Sequence, residues 1–437
     1  ITTATPTVRI SGSGARATLD LSASMEVNNL DNDNSQCNNS DSGVDNYNPK
    51  LSGNARLELL PNLLNVDITG AVEQNKVDPF LSSGDSTLNK NSNTNTSYSY
   101  SVSPNISHRF KDLSVVNFRY TYDNQTNSED EVDDSELHAA SLSIASAGIS
   151  KLSWSLLSNY REVNYDQDEQ SESDDYISSV NFSLGYQIHR KWRLNASTGQ
   201  DINDFESSSN DVDGNRWSAS INWTPNPRTD VTVGTGNRFI GDTPTLNINY
   251  RHKHSSLSLN YEKLVTFSRT LRTQDVFFSL IDANGDPVLD IDGRLALIRL
   301  NQTTLTRSPI VDERLKLAYQ WSGGRTSLSL NASESKQTRE EDNFASTFTT
   351  TSMGLRRRLS PKLSISGGVT YSKTEIEEGS EALGQDSELY RWSLGLEKKL
   401  ELHTSMNINY ILTDRKSDDH DDEYSENRTS IGVKRNW

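Results

Sequence analysis

Apolar and polar residues alternate one by one along most of this chain. In residues 98–107 every second residue is Tyr, Val, Pro or Ile, and the residues between them are Ser or Asn. A period of two predicts extended strands with one apolar and one polar face. The same alternation recurs at residues 116–122, 152–160, 180–188, 217–223, 257–261, 315–321, 363–371, 390–396 and 406–412.

The length of these runs indicates a membrane barrel. Each lasts about ten residues, which is what a tilted strand needs to cross the hydrocarbon. A soluble β-sandwich would have shorter strands around a drier core. No run approaches the ~18 apolar residues of a membrane helix. We therefore predict an all-β transmembrane antiparallel up-and-down β-barrel with about 20 strands, in a range of roughly 18–22.

The connections between the runs also alternate. Short turns, such as 61–63 and 189–191, alternate along the chain with long acidic segments rich in Asn and Ser, such as 28–48 and 416–426. Short periplasmic turns and long extracellular loops are typical of outer-membrane barrels. No linker divides the pattern, so residues 1–437 are predicted to form a single outer-membrane β-barrel domain.

The segment 268–307 breaks the rhythm. Its Asn284-Gly285-Asp286 sequence between apolar runs predicts a hairpin. Long loops often have functions of their own. Two interpretations stay open, an outer lid and a plug that folds into the lumen.

The composition agrees with a bacterial outer-membrane location. Hydrophobic residues are 32% of the chain and the formal net charge is −17, which in a soluble protein would indicate disorder. A barrel needs only an apolar outer face. The single cysteine, Cys37, excludes a disulfide framework. The chain starts at Ile1, and we expect a mature chain whose export signal has been removed.

Charge differs between the two kinds of connection. The short turns are basic, as in 356–358, and the long loops are acidic, as in 129–136. A basic periplasmic mouth would concentrate an anionic solute. The alternative is that these are solvated residues that flank the membrane. Acidic outer loops could also hold divalent ions against lipopolysaccharide, although the carboxylates lack calcium-loop spacing.

No motif of an enzyme or a cofactor site is evident. Gly234, Gly236 and Gly241 lie within the alternating pattern and not in a phosphate-binding loop. There is no nucleophile-elbow sequence. His420 lies in the acidic segment 418–423, which is more typical of a solvated loop than of a metal site. We predict no catalytic residue, no metal, no cofactor and no nucleic-acid partner. A barrel hydrolase with residues on adjacent strands stays an alternative.

Charged residues on the polar face are the better functional candidates. By parity with their apolar neighbours, eight of them should point into the lumen, where charge tunes what passes. The alternatives are that opposite charges pair, as Arg391 with Glu397, or that the charges anchor a loop. The eight predicted pathway residues are Arg119, Arg161, Arg193, Glu262, Lys316, Arg358, Arg391 and Glu397.

Two stretches resemble a known family. Residues 223–229 (WTPNPRT) and 234–241 (GTGNRFIG) resemble the W-x-P-x-x-R-T…G-x-R-F-x-G signature of outer-membrane β-barrel proteins associated with PEP-CTERM/exosortase and exopolysaccharide systems. The C-terminal Y-x-E-N sequence at 424–427 is similar to that family's ending. Trp437 departs from the phenylalanine that is commoner at the end of such barrels. The residues that match the motif are Trp223, Pro225, Arg228, Gly236, Arg238, Gly241, Tyr424 and Asn427.

The resemblance implies a non-catalytic role, a porin that exports a secreted polysaccharide of the biofilm type through its polar lumen. Arg228 and Arg238 are interpreted as shaping the turn and the strand after it. The implied partners are outer-membrane lipid and lipopolysaccharide, the polysaccharide substrate, periplasmic polysaccharide-export proteins, and the barrel assembly machinery through the C-terminal strand. Three alternatives remain: a general or solute-specific diffusion porin, a barrel sheath of a multi-protein complex such as a multihaem conduit, and the hydrolase.

Overall fold

The regular structure of this protein consists of β-strands. Among the residues that the structure describes, no helix is long and apolar enough to cross a membrane. The computed structural model describes residues 2–4, 6–29, 47–76, 94–129, 132–148, 151–166, 175–208, 212–267, 278–279, 297–298, 309–377, 386–401, 404–418, 420 and 423–435.

The strands follow one another through short turns and longer connections. They are β1 Thr2–Ala4, β2 Thr7–Ser13, β3 Ala17–Asn29, β4 Tyr47–Leu60, β5 Leu64–Lys76, β6 Thr94–Phe110, β7 Ser114–Asn127, β8 Ser135–Ser146, β9 Leu152–Tyr165, β10 Asp175–His189, β11 Trp192–Asp204, β12 Gly214–Asn226, β13 Thr229–Arg238, β14 Gly241–Asp242, β15 Thr245–Arg251, β16 Ser255–Phe267, β17 Phe278–Ser279, β18 Leu297–Ile298, β19 Pro309–Ser322, β20 Thr326–Arg339, β21 Ala345–Ser360, β22 Leu363–Ile376, β23 Ser387–Glu401, β24 Thr404–Ser417 and β25 Tyr424–Arg435.

Each long strand pairs antiparallel with the next, which gives one 23-stranded sheet. Strands β1 and β2 both pair with β3, and β14 and β15 both pair with β13, so each set is one interrupted strand. The number of up-and-down strands therefore falls within the predicted range, and the predicted antiparallel barrel fold is confirmed. The ends of the series are β2 and β25, and no backbone pairing joins them among the described residues.

One face of the sheet is an apolar belt. Tyr98 and Tyr100 on β6 are 45% and 50% exposed, and Trp392 and Leu394 on β23 are 52% and 59% exposed. Apolar side chains exposed in such numbers would be unstable against water, whereas lipid accommodates them. The belt places the protein in the bacterial outer membrane, with the predicted lipid-facing positions on the outside.

The strands are longer than the alternating pattern predicts. β6 has 17 residues and β21 has 16, against about ten that cross the hydrocarbon. Backbone pairing continues where the apolar alternation ends, because hydrogen bonds between strands do not require lipid. We call the end that carries the short basic turns the inner end, and the other the outer end.

The small dry core lies at the outer end. Phe344 and Phe348 are buried against Ile376. Phe267, at the end of β16, and Ile310, near the start of β19, are 0% and 2% exposed. The two short strands β17 and β18 pair antiparallel with each other, as a hairpin requires.

Three features named from the sequence lie outside the described residues. They are Cys37, Trp437 and the remainder of the segment 268–307. The choice between lid and plug therefore stays a prediction.

Candidate functional site

Hydroxyl and amide groups line the polar face of the sheet. The hydroxyls of Thr69 and Ser101 lie 2.6 Å apart, and those of Ser197 and Ser218 lie 2.7 Å apart. These are partners on neighbouring strands, and polar cross-strand pairs stabilise a sheet at its wet face. The face offers many neutral donors and acceptors.

Contacts between remote strands show that the polar face is concave. Arg161 Nη1 on β9 donates to Thr266 Oγ1 on β16 at 3.4 Å. Ser207 Oγ, which follows β11, donates to Glu340 Oε2, which follows β20, at 2.8 Å. These segments are not neighbours in the sheet. The contacts therefore cross the interior, which makes the polar face the lumen and narrows it at the outer end.

Arg161 forms this crossing contact through only part of its guanidinium group. Its Nε is buried without a hydrogen-bond partner among the described residues. A buried donor without an acceptor carries a desolvation cost. Arg161 is therefore held in an unfavourable environment at a narrow point of the lumen.

A second cluster of charged side chains is centred on Asp201 of β11. Its carboxylate is fully buried and accepts hydrogen bonds from Arg238 Nε at 2.9 Å and Arg238 Nη2 at 2.8 Å. Arg216 Nη1 adds a third contact at 3.1 Å. Such two-bond contacts between guanidinium and carboxylate are strong and directional. They tie β11 to β12 and β13.

A third group is centred on Asp312 of β19, which is also fully buried. Its carboxylate accepts hydrogen bonds from Arg314 Nε and, at 2.6 Å, from Ser335 Oγ on β20. Gln337 Nε2 donates to Ser335 Oγ at 3.2 Å. These bonds link β19 and β20 across the polar face at this point.

These three groups lie near the outer ends of their strands. Four guanidinium groups and two buried carboxylates take part in them. We call this set the outer ring; its members are Arg161, Asp201, Arg216, Arg238, Asp312 and Arg314.

The predicted pathway residues lie on the polar face, but the structure does not gather them into one site. Arg119 Nη1 binds Asp67 at 2.7 Å, and Arg193 Nε donates to Asn195 Oδ1 at 3.1 Å. Arg358 Nη2 donates to the carbonyl oxygen of Gly324 at 3.3 Å.

The other pathway residues lie on three further strands. Glu262 on β16 stands opposite Arg314 in the register, Lys316 stands opposite Asn260, and Arg391 on β23 stands opposite Thr370. Only Arg161 belongs to the outer ring.

The suggested pair of Arg391 with Glu397 is wrong. The two residues lie six positions apart on β23, which corresponds to about 20 Å along a strand. Glu397 instead accepts a hydrogen bond from Arg356 Nη2 at 2.7 Å. Parity along a strand gives the face of a residue but not its partner on the next strand.

The glycine and arginine positions of the family motif have structural roles. Gly241, the first residue of β14 directly after the turn from β13, has a φ of 85°, which favours glycine. A Cβ atom on Gly236 would lie 2.4 Å from the Trp217 carbonyl oxygen, so this position excludes a side chain. Arg238 binds Asp201, as described above. The motif therefore builds one side of the outer ring.

The other motif residues lie at strand ends and turns. Trp223 stacks on Trp192 with ring centroids 5.6 Å apart at the inner end, as in an aromatic girdle. Pro225 lies at the irregularity of β12, and the Arg228 N–H donates to Asn226 Oδ1 at 2.9 Å in the following turn. This contact uses the backbone of Arg228, and a role of its side chain in shaping the turn stays a prediction.

The last two motif residues lie on β25. Tyr424 stands opposite Arg415 on β24. Asn427 Oδ1 accepts a hydrogen bond from the Tyr410 hydroxyl at 2.7 Å. Both positions connect the final strand with its neighbour.

The outer loop 340–344 contains a carboxyl group with a shifted pKa. Burial raises the pKa of Asp342, but hydrogen bonds from the Arg339 guanidinium and the Phe344 N–H outweigh burial and lower this pKa below its usual value. Arg339 Nε lies 2.8 Å from Asp342 Oδ1. The turn between β20 and β21 is therefore held by an ionised carboxylate.

Within the described part of the chain, no group of three or more His, Cys, Asp or Glu residues could hold a metal ion. His420 Nδ1 instead lies 3.2 Å from Glu423 Oε2 in the outer loop.

The sequence analysis missed Asp201, Arg216, Asp312 and Arg314. Each lies on the polar face, so parity alone could have added them to the candidates. Their importance comes from burial and from partners on other strands, which the alternation does not contain.

The comparisons with known proteins bear on the fold. No protein-family model and no curated protein matches this chain. Among solved structures, the FrpB iron transporter of Neisseria meningitidis (F3-3 variant) is similar with a TM-score of 0.56 at 10% identity, over 99% of this chain and 79% of that one. The ferric-catecholate import receptor Fiu of E. coli K12 is similar with a TM-score of 0.52 at 9% identity, over 99% and 78%. At such identities the likeness shows an outer-membrane barrel fold and no more.

Proposed function

We propose that this protein is an outer-membrane conduit through which a secreted polysaccharide leaves the cell. The observation that carries the proposal is the lumen lining. Neutral hydroxyl and amide groups dominate it, as at Ser197, Ser218 and Asn249, whose Oδ1 accepts a hydrogen bond from Ser258 at 3.0 Å. Such groups exchange hydrogen bonds with sugar hydroxyls at little cost, because water already competes for the same groups.

The outer ring supports an extended cargo. The contact from Arg161 to Thr266 and the contact from Ser207 to Glu340 narrow the mouth. A narrow, polar exit admits an extended chain one segment at a time, whereas a wide lumen would leak small solutes. The sequence resemblance to exopolysaccharide-associated barrels points in the same direction.

By their names, FrpB is an iron transporter and Fiu is a ferric-catecholate import receptor. Their similarity supports transport across the outer membrane as a class of function. It does not choose the direction or the cargo.

Deletion of the gene tests the proposal. We expect surface polymer to disappear while polymer synthesis continues, so that polymer accumulates inside the cell, and a plasmid copy should restore export. Unchanged surface polymer in the deletion strain would contradict the proposal.

A diffusion porin is the second candidate, because the lumen wall of β11 and β12 is open to water. Planar-bilayer recordings separate the two. A large, permanently open conductance proportional to salt would favour the porin, whereas a small or closed conductance favours export through the narrowed outer end.

A further inference from the structure

The inner end of β20 to β23 carries a concentration of positive charge. A recess of about 80 Å³ opens there on the polar face. Its cationic lining residues are Arg325, Arg356, Arg358, Lys362 and Lys399, and its only carboxylate is Glu397. We call this the inner recess.

The one carboxylate is already engaged. Glu397 Oε2 accepts a hydrogen bond from Arg356 Nη2 at 2.7 Å, and Arg356 Nη2 also lies 3.2 Å from Ser364 Oγ. The Ser364 hydroxyl donates to Glu397 at 3.4 Å. These hydrogen bonds hold the Arg356 side chain on the polar face. The negative charge of Glu397 is balanced by Arg356 and is not available to the other cations of the recess.

The remaining cations stand around this hydrogen-bonded group on turns and strand ends. Arg325, Lys362 and Lys399 are exposed side chains, from the turn before β20, the turn before β22 and the inner part of β23. Like charges held this close repel one another, and an anion between them relieves the repulsion. A recess of this size holds an oxyanion group together with several water molecules, since one water needs about 10–15 Å³ of such space.

We propose that the inner recess binds the oxyanion groups of an acidic polysaccharide, such as the carboxylates of uronic acid residues, as the polymer enters from the periplasm. This inference rests on the proposed function and adds the chemical class of the cargo. The hydroxyl and amide groups of the lumen beyond the recess would then receive a chain that the cations of the recess have oriented. Several weak charged contacts along a polymer act together, so a chain binds where a single ion would not.

Binding to the purified full chain in detergent micelles tests the proposal. The probes are tetragalacturonate, the neutral tetrasaccharide maltotetraose, and inorganic phosphate as a competitor. Tetragalacturonate should bind at least tenfold more tightly than maltotetraose, and its affinity should fall as salt rises. Phosphate at the same concentration should compete weakly, because it lacks the linked second charge.

Two matched triple variants locate the site. One combines Arg325→Gln, Lys362→Gln and Lys399→Gln in the recess. The other removes three cations from other inner turns, namely Lys111→Gln, Lys191→Gln and Lys253→Gln. The recess variant should lose about tenfold in affinity for tetragalacturonate, and the control variant should lose little. The six residues are exposed, and tryptophan fluorescence would verify that both variants fold.

Three results would overturn the proposal. They are equal affinity for the acidic and neutral tetrasaccharides, equal loss in the two triple variants, and full displacement by phosphate, which would indicate a site for free anions. The binding assay does not depend on the deletion experiment. If the deletion removes surface polymer but the purified protein does not bind tetragalacturonate, the export function stands and the proposed binding role of the inner recess is rejected.

Discussion

The same residue types build two different walls in one lumen. On β11 and β12, Ser197 and Ser218 form an open wall, in which Ser218 is exposed. On β19 to β21, Ser335 and Asn331 belong to a buried wall and are 0% and 2% exposed. The buried wall also carries the Asp312 carboxylate, which accepts hydrogen bonds from Arg314 and Ser335, and Asn331 Nδ2 donates to Ser352 Oγ at 3.3 Å. Serine and asparagine therefore line a path in one place and form a polar core in the other.

The buried wall should depend on its carboxylate. Asp312→Ala removes the partner of Arg314, whose side chain is 4% exposed, and should lower the free energy of unfolding by about 3–5 kcal/mol, the usual result of leaving a buried charge unpaired. Chemical unfolding in micelles, followed by tryptophan fluorescence, measures this. The control is Ser218→Ala in the open wall, which should change the free energy by no more than about 0.5 kcal/mol. Equal effects of the two changes would erase the distinction between the walls.

The next largest effect should come from the motif arginine. Arg238→Lys keeps the charge but loses the two-bond contact with Asp201, which should cost about 2 kcal/mol. Arg216→Lys is the matched control, because Arg216 makes one contact with the same carboxylate and its side chain is 25% exposed. The same unfolding assay should show a clearly smaller loss for it. A larger decrease in the free energy of unfolding for Arg216→Lys than for Arg238→Lys would mean that the single Arg216 contact stabilises Asp201 more than the two-bond Arg238 contact does.

Arg161 should affect passage more than stability. Arg161→Ala removes the contact across the lumen and should raise single-channel conductance, while the free energy of unfolding changes by about 1 kcal/mol. Arg119→Ala is the control, since Arg119 binds Asp67 locally and its side chain is 45% exposed. Conductance that stays unchanged in Arg161→Ala would place the narrow point elsewhere.

The smallest effect should come from the outer loop and depend on pH. The pKa of Asp342 is lower in the folded protein than in the unfolded chain, so its contribution is present above about pH 4 and is lost as pH falls through the folded pKa. Because the Asp342 side chain is 44% exposed, Asp342→Asn should cost less than about 1 kcal/mol at pH 6. Unfolding curves at pH 6 and pH 3 should show this difference shrinking at the lower pH. A difference that grows toward pH 3 would contradict the sign of the shift.

The alternation along the chain was enough to predict the fold and the two faces. Parity placed Arg119 and Arg161 on the polar face, because side-chain direction in a strand follows a strict period of two. Their partners were not predictable in this way. Asp67 and Thr266 lie 52 and 105 residues away in the chain.

The two walls could not be told apart from the sequence either. β12 and β20 both carry serine and asparagine on their polar faces, and only the contacts between strands decide which face is closed. An isolated aspartate on a polar face, as at positions 201 and 312, marks a buried ionic cluster at the outer end, but it does not separate the two walls because Asp201 lies on β11 of the open wall.

Thiol labelling of the two walls during export tests the central claim most directly. Ser218→Cys in the open wall and Ser335→Cys in the buried wall, each in a Cys37→Ser background, would be exposed to a membrane-impermeant thiol reagent. In cells that do not make polymer, position 218 should label rapidly and position 335 slowly. In cells that secrete polymer, labelling at 218 should slow markedly because the chain occupies the open wall. Equal labelling of position 218 with and without polymer synthesis would contradict the account.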